Sequence, residues 1–329
     1  MTIRNKKANY LRKDGFSVSM YTDEELMSIH LASVEVLWFE GVHIGSKEAW
    51  DIFEDGGAIV DRSEGIVRIP QYMIEEAIKS APSTLILAGR NRDRDVVLDR
   101  SRVNFTTFGA GVNWLDLDTG NIRNTSKADL ATTALLADYL DGVDVYSHSV
   151  TARDMPNSSV DLNEAEAFLS NTTKHCMHID LTCRENVKKY IEMGATIQGG
   201  MDELRKYPII SALTCPQSPL NLHHECCDII IEFARNGIPV NVLSMAMSGA
   251  TTPVTIAGTL VVHNCEVLAG VVLAQLTSKG APVIYGSSTT SFDLKTATAP
   301  VGSPEMGILN AGVAALAQYY NLPSYVGGT

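Results

Sequence analysis

Polar side chains stand where each predicted strand of the second half of the chain ends. In chain order they are Ser147 and His148, His178 and Asp180, Thr214, the stretch 244–248 and the stretch 287–290. His178 and Asp180 are alternate residues, so they share one face of a strand. Such a pair could act as a proton donor with its orienting carboxylate, or hold the proton of an ammonium ligand. The alternative is a hydrogen-bonded pair at the rim of a sheet.

Four consecutive hydroxyl residues, Ser287 to Thr290, follow Gly286 at the end of one of these strands. They could form a polar wall against a ligand, and the alternative is capping and turn bonding. Adjacent histidines on a helix cannot both face one ion, so "HHE" at residues 223–225 predicts no metal site. Lys174 and Lys295 are the lysines nearest the strand ends, and a lyase with a Schiff-base lysine is our last-ranked alternative.

The elements that must position these residues alternate regularly. Predicted strands begin near residues 143, 175, 208, 239, 282 and 323, and a helical pattern separates each from the next. This alternation indicates βαβ units and a parallel sheet. A doubly wound sheet usually has a glycine-rich turn after its first strand, and "VDVYSHSVTARDMP" has none. Polar strand ends favour an α/β fold of the (β/α)8 TIM-barrel type, with about six of eight units present.

The first part of the chain reads as a separate α+β extension. Thr22 and Glu25 predict a capped helix start, and Pro70 begins a second helix. Two hairpins follow, and then a helix that begins after Ser126 and ends at Gly142. We therefore expect helices and hairpins over residues 1–142 that pack on the barrel units of residues 143–329, with the C-terminal part of the barrel missing.

Composition limits the possible functions. The 329 residues are 45% hydrophobic and 19% charged, which is typical of a globular protein, and the net charge is −12. This charge argues against binding to nucleic acid or to an anionic membrane. No uninterrupted apolar run reaches the roughly 18 residues that span a bilayer, and no apolar region follows the basic N-terminus. We expect a cytoplasmic protein whose six cysteines, without CxxC spacing, are mostly small buried residues.

Long motifs throughout the chain resemble the trimethylamine methyltransferase (MttB) family. They are "FTTFGAGV", "HSVTARD", "TTKHCMHID", "LTCPQSPL", "LSMAMSG", "GTLVVHNCEVL", "YGSSTTSFDL" and "APVGSPEMG". The resemblance implies a (β/α)8 barrel that transfers a methyl group from a small methylated amine to cob(I)alamin. It also implies that this corrinoid is carried by a cognate partner protein. We expect methylamine catabolism or methanogenesis as the setting, a homo-oligomer, and no nucleic-acid or membrane partner.

The end of the chain, "PSYVGGT", coincides with a special position of this family. One branch of the family, acting on trimethylamine, has pyrrolysine just after this strand tip, encoded by an amber codon. We therefore expect an in-frame amber codon beyond Thr329 that was read as stop. The alternatives are a deliberately chosen boundary, a proteolysed chain, or Thr329 itself filling the aligned position in a pyrrolysine-free homologue. Gly327 and Gly328 would let the backbone approach a reacting centre closely.

The implied chemistry selects candidate site residues. The site must bind a bulky cation, exclude water and open onto the corrinoid. Aromatic faces attract quaternary cations, although ordinary packing is the alternative for each aromatic residue and is favoured for Trp114. The predicted catalytic residues are His178, Asp180, Gly328 and Thr329; the predicted substrate-binding residues are Phe108, Tyr146, Ser287, Thr289 and Phe292.

Three functions stay open at this point, ahead of the last-ranked lyase. Trimethylamine demethylation is favoured by the position where the chain ends. A pyrrolysine-free demethylase of quaternary amines such as glycine betaine is the second. The third is a non-catalytic module that docks the corrinoid protein.

Overall fold

A computed structural model describes residues 19–179 and 181–328 of the chain. Residue contacts divide these into two compact units. Within the described part, the first unit spans residues 85–213, and the second combines residues 19–84 with residues 214–328. The predicted division between residues 142 and 143 follows a change of sequence pattern and stays a prediction.

The second unit begins with an α+β segment. Its elements are α1 (Asp23–Phe39), β1 (Val42–Ile44), α2 (Lys47–Gly56), β2 (Ile59–Asp61), β3 (Ile66–Arg68) and α3 (Gln71–Ser80). The predicted capping box at the start of α1 is confirmed. Thr22 Oγ1 accepts the Glu25 N–H at 3.2 Å, and the Glu25 carboxylate accepts the Thr22 N–H at 2.8 Å. β3 pairs antiparallel with both β1 and β2.

The first unit contains both predicted hairpins and half of the parallel strands. Its elements are β4 (Leu85–Leu87), β5 (Val96–Leu98), β6 (Asn113–Leu115), β7 (Ile122–Asn124), α4 (Lys127–Tyr139), β8 (Val145–Ser147), α5 (Val160–Asn171), β9 (His175–Ile179), α6 (Arg184–Gln198), α7 (Met201–Lys206) and β10 (Ile210–Thr214). β4 with β5 and β6 with β7 form antiparallel hairpins. β9 lies between β8 and β10 and is parallel to both.

The second unit continues with the other half of the parallel strands. Its elements are β11 (Asn221–Leu222), α8 (His224–Asn236), β12 (Val240–Ser244), β13 (Met247–Ser248), α9 (Ile256–Thr277), β14 (Val283–Ser287), β15 (Thr290–Ser291), α10 (Pro304–Tyr319) and β16 (Ser324–Val326). β14 lies between β12 and β16 and is parallel to both. β13 and β15 form a small parallel pair beyond the strand ends. β11 pairs parallel with β1, which joins the two segments of this unit.

The predicted alternation of strands and helices is confirmed, with three parallel strands in each unit. Every residue of β8, β9, β10, β12 and β14 is buried. Strands covered on both faces need continuous apolar runs, which explains why they were recognisable in the sequence. The fold is therefore mixed α/β with parallel βα units, whereas closure into an eight-stranded barrel stays a prediction.

A further parallel contact was not predicted. The stretch 105–111, which the sequence suggested was part of a hairpin, runs beside β8 through parallel bridges from Thr106 to Val145 and from Gly111 to Val150. Its backbone is irregular, since Gly109 and Ala110 have φ of +155° and +48°. Because these residues interrupt any strand pattern, the sequence gives no sign that this stretch covers the outer edge of β8.

Among the described helices, α9 is apolar and long enough to cross a membrane, judged by length and composition alone. However, 72% of its most apolar stretch is buried within the protein. His263, Asn264, Glu266 and Gln275 interrupt its apolar sequence, and all four are buried. These properties are those of the core helix of a soluble protein.

Candidate active site

Tyr146 and His178 lie on the face of the first unit's sheet that its helices cover. Tyr146 is in register with Cys176, and Cys176 is in register with Ile210. A Cβ on Gly194 of α6 would lie 2.6 Å from Ile210 Cδ1, so this face packs directly on the helix. His178 shares it because alternate residues of a strand point to the same side.

The Tyr146 hydroxyl is bonded within the protein. It lies 2.8 Å from Thr133 Oγ1 on α4, and the ring is fully buried beside Phe168 of α5. Burial raises the pKa of Tyr146 to about 12, so the phenol stays neutral in the physiological range. Its contacts make it a link between strand and helix, and its predicted contact with substrate stays a prediction.

Both ring nitrogens of His178 face backbone carbonyl groups. Nδ1 lies 2.7 Å from the Ile179 oxygen, and Nε2 lies 2.8 Å from the Asp161 oxygen at the start of α5. The ring packs edge-on against Phe168 and Tyr190. In this arrangement neither nitrogen is directed at a ligand. Asp180, its predicted partner, lies outside the described residues.

His178 also belongs to a buried group that the sequence did not reveal. His148, Glu164 and His178 each place a ligand-type atom within 4.8 Å of the others, and these residue types suit a zinc or iron site. Atoms on each residue already have partners in the protein. His148 Nδ1 accepts the Ile179 N–H at 3.2 Å, and Glu164 Oε1 accepts the Ala152 N–H at 2.8 Å. These contacts favour a hydrogen-bonded core cluster.

Burial is the main cause of the low pKa of His148, and the neighbouring His178 lowers it further. Since its Nδ1 accepts a hydrogen bond, the neutral ring carries its proton on Nε2. Glu164 comes from α5, and no local sequence pattern connects it with the two strand ends. Their proximity could have been predicted only from knowledge of the fold.

Phe108 lies on the unpredicted stretch beside β8, and its side chain is exposed. The preceding residue, Thr107, fixes this stretch to the strand end. Its hydroxyl donates to the Ser147 carbonyl oxygen at 2.5 Å and accepts the Ser147 N–H at 3.0 Å. Phe108 therefore stands at the carboxyl end of β8. Its role against substrate stays a prediction.

The Lys174 amine is fully engaged in structure. The residue is buried, and Nζ donates to the carbonyl oxygens of Ala137, Leu140 and Val143 at the end of α4. The predicted glycine cap at Gly142 is wrong, because α4 ends at Tyr139. The ammonium group instead binds one carbonyl of the last helical turn, the carbonyl of the C-cap residue and one in the loop that follows. This leaves no free amine at Lys174 for a Schiff base.

In the second unit, Ser287 and Thr289 also lie on the helix side of the strands. A Cβ on Gly270 of α9 would lie 2.6 Å from Val242 Cγ1, and Ser244 is on the same face as Val242. Ser287 is in register with Ser244. Thr289 follows, and its N–H donates to Ser287 Oγ at 3.0 Å. Their predicted role as a substrate wall stays a prediction.

Thr289 connects the strand end to α9. Its hydroxyl donates to the Ser244 carbonyl oxygen at 3.3 Å and lies 2.9 Å from His263 Nδ1. His263 Nδ1–H therefore donates to this hydroxyl, and among the described residues Nε2 has no hydrogen-bond partner. Burial lowers the pKa of His263 to about 3, so the ring stays neutral.

A buried carboxyl group on α9 supports the same strand end. Glu266 accepts the Ser244 hydroxyl at 2.6 Å and the Leu220 N–H at 2.9 Å. Burial raises the pKa of Glu266, although the two hydrogen bonds oppose that effect. β12 and β14 thus end in a network of buried polar groups.

Phe292 follows the small β13–β15 pair. Its N–H donates to the Ser248 carbonyl oxygen at 3.0 Å, and the side chain is partly buried. The pair extends β12 and β14 beyond their carboxyl ends, so Phe292 belongs to a wall built on the strand ends. This position is compatible with the predicted contact to substrate, which stays a prediction.

The tip of β16 is held from one side and open on the other. Asn310 Oδ1 accepts the Gly327 N–H at 3.2 Å, whereas a Cβ on Gly328 would meet no atom within 4 Å. Thr329 lies outside the described residues. Tyr325 is in register with Gly286, on the sheet face turned away from α9. Sequence reasoning missed Tyr325, although an aromatic residue two positions before the glycine tip was a usable signal.

Comparison with known proteins decides the family. A profile described as trimethylamine methyltransferase (MTTB) matches residues 2–329. The chain belongs to the trimethylamine methyltransferase family. The resemblance found in the sequence motifs is thereby confirmed.

Individual members show where the chain stands within this family. It is 51% identical over 98% of its length to "Trimethylamine methyltransferase MttB" of Desulfitobacterium hafniense, strain DSM 10664 / DCB-2, and covers 65% of that protein. It is 46% identical over its whole length to the protein of the same name from Methanosarcina barkeri, strain Fusaro / DSM 804, and covers 67% of it.

A more distant relative has another substrate in its name. "Glycine betaine methyltransferase" of Desulfitobacterium hafniense, strain Y51, is 28% identical over 94% of the chain, which covers 64% of that protein. The chain thus spans about two thirds of the length of the curated relatives it matches.

Proposed function

We propose that the protein transfers a methyl group from trimethylamine to Co(I) of a corrinoid carried by a separate protein, releasing dimethylamine. The observation that carries this proposal is the similarity to family members named for trimethylamine. Identity is 51% and 46% to two of them, against 28% to the member named for glycine betaine.

The chemistry requires a positively charged donor nitrogen. The Co(I) electron pair forms the Co–C bond while the C–N bond breaks, and the nitrogen keeps the bonding pair. From neutral trimethylamine the leaving group would be an amide anion. When nitrogen has a fourth bond, a neutral amine leaves instead. The site must therefore hold a cation in line with the incoming cobalt.

We infer that the reactive centre lies at the tip of β16. Gly328 has open space on the side where a side chain would project. A pyrrolysine residue following this tip would carry an electrophilic imine carbon, which would supply the fourth bond to nitrogen. In this proposal, Tyr325 and Phe292 are the aromatic residues best placed to face the substrate, because Tyr325 lies on the sheet face turned away from α9 and Phe292 follows the strand pair beyond the carboxyl ends of β12 and β14.

The remaining predictions extend the same proposal. The parallel βα units belong to a (β/α)8 barrel that the full protein completes. His178, Asp180, Tyr146, Ser287 and Thr289 form or support the walls of the site. The protein works in the cytoplasm as a homo-oligomer, which native mass measurement would test.

The test uses the full gene product isolated from its own organism. The corrinoid protein, reduced to Co(I), is mixed with enzyme and either trimethylamine or glycine betaine, and the visible spectrum reports methyl–Co(III) formation. We expect turnover with trimethylamine, and a tryptic peptide across Thr329 that carries one heavy lysine-like residue. Turnover with glycine betaine alone would overturn the substrate. Corrinoid-protein binding without methyl transfer to cobalt from either amine would support the docking module.

A further inference from the structure

We propose that Asn310 of α10 is a positioning residue that fixes the tip of β16, and with it the residue that reacts. The inference rests on the proposed function, since it takes the reactive centre to lie at this tip. Asn310 is 4% exposed and lies within the second unit, two turns into α10 from Ser303, the N-cap.

Both N–H donors and the oxygen of the Asn310 carboxamide make hydrogen bonds. Nδ2 donates to the Thr289 carbonyl oxygen at 3.0 Å and to the Met306 carbonyl oxygen at 2.9 Å. Oδ1 accepts the Gly327 N–H at 3.2 Å. Two donors and one acceptor are needed at once, which a carboxylate or a hydroxyl cannot supply. An amide of this length is therefore required between Thr289 and Gly327.

These contacts connect the tip to a rigid frame. Thr289 is itself held by Ser244 at the end of β12, by Ser287 at the end of β14 and by His263 on α9. Through Asn310, the ends of three neighbouring parallel strands and two helices share one buried hydrogen-bond network. A buried network whose members are all bonded to one another restricts motion more than isolated bonds do.

Packing fixes the same point from a second side. A Cβ on Gly327 would lie 2.8 Å from Met306 Cε, so the backbone of the tip lies directly on α10. By contrast, Gly328 has no neighbour within 4 Å of its would-be Cβ. Among the described residues, the bond from Asn310 is therefore the last side-chain hydrogen bond to the tip before the open position at Gly328.

Position matters at this point because methyl transfer needs an in-line approach. A displacement of about 1 Å at a reacting atom can cost roughly 10²-fold in rate. Losing the Asn310 bond would release the Gly327 amide and allow such displacements. Substrate contacts would be retained, so the loss should appear in kcat with little change in KM.

The experiment compares Asn310→Leu with Asn264→Leu in the full gene product, produced in a host that reads in-frame amber codons as pyrrolysine. Asn264 is a matched control in the same unit. It is buried and makes three side-chain bonds, donating to Ser33 Oγ at 2.9 Å and Tyr320 Oη at 2.8 Å, and accepting from Tyr285 at 2.7 Å. Hydrogen exchange at Gly327 and methyl transfer to the corrinoid protein are measured for each.

We expect Asn310→Leu to increase exchange at Gly327 at least about tenfold and to lower kcat by roughly 10²-fold. Asn264→Leu should lower thermal stability comparably while leaving both readouts near wild type. Asn310→Asp retains the acceptor for Gly327 and should restore part of the protection. Unchanged exchange at Gly327 in Asn310→Leu, or equal kcat losses in both leucine variants, would overturn the inference. Inactive wild type would refute the proposed function, and the exchange result would still decide the role of Asn310.

Discussion

Lys174→Met tests whether a buried ammonium group holds the end of α4. The substitution keeps the length and flexibility of the side chain but removes all three bonds to the carbonyl oxygens of Ala137, Leu140 and Val143. The Leu140 carbonyl oxygen also accepts the Val143 N–H at 3.4 Å, so it keeps one hydrogen bond in the variant. The carbonyl groups of Ala137 and Val143 are therefore the more affected by the loss of the ammonium group.

The size of the effect follows from these contacts. Each buried carbonyl left without its donor costs about 1–3 kcal/mol. Removing a charge from the interior returns part of that cost. We expect a net loss of about 3 kcal/mol in the free energy of unfolding. For a chain of 329 residues this corresponds to a fall of about 4 °C in Tm.

Urea denaturation followed by circular dichroism measures the change, with Lys189→Met as the control. Lys189 lies on α6 and is exposed, so its substitution should change stability by no more than about 0.5 kcal/mol. Methyl transfer per folded molecule should be unchanged in Lys174→Met, because the amine is engaged in structure. Equal stability of the two variants, or loss of activity in folded Lys174→Met, would refute this reasoning.

Three further outcomes follow from single contacts. Asp129 has a pKa lowered to about 2, chiefly by its bonds to Arg123, so up to about 2 kcal/mol of stability should be lost as pH falls from about 4 to 2. Urea midpoints measured against pH should show this step in wild type and a smaller step in Arg123→Ala, because the bonds from Ser126 remain. Gly286→Ala should lower soluble yield sharply, because its Cβ would lie 2.1 Å from the side-chain oxygen of Asn241. Gly307→Ala is the control: its Cβ would have no atom within 4 Å, so the substitution should be neutral or raise Tm slightly. Tyr146→Phe should cost about 1 kcal/mol and leave KM for trimethylamine unchanged; a tenfold rise in KM would instead place the Tyr146 hydroxyl against the substrate.

The sequence was sufficient to predict the βα units because parallel strands covered on both faces are continuous apolar runs. The same property hid the direction of each side chain. When both faces of a strand are buried, polar and apolar residues do not alternate along it. The sequence therefore could not show that Tyr146 and His178 face helices. The sequence correctly predicted which polar residues lie at the ends of the parallel strands. Only the structure shows on which face of the sheet their side chains lie.

Residues on helices were harder to predict than those on strand ends. Asn310 lies among apolar neighbours on α10, Glu164 lies among polar and apolar neighbours on α5, and no motif marks either residue. Their partners are distant in the chain, for example Gly327 for Asn310 and Ala152 for Glu164. Only the packing of a helix on a strand end brings these groups together, and single-sequence patterns do not contain that information.

The second unit is made from two separated stretches of chain, and this affects the order in which it can form during synthesis. Its first stretch, through Thr84, leaves the ribosome before residues 85–213, which make up the described part of the other unit. β1 must wait for β11, its parallel partner, in which Asn221 lies 178 residues beyond His43. At 5–20 residues per second, these residues take roughly 9–36 s to synthesise. During that time the apolar faces of α1, α2 and α3 lack α9, the helix on which they finally pack. The nascent chain therefore exposes an aggregation-prone apolar surface that a chaperone would be expected to cover.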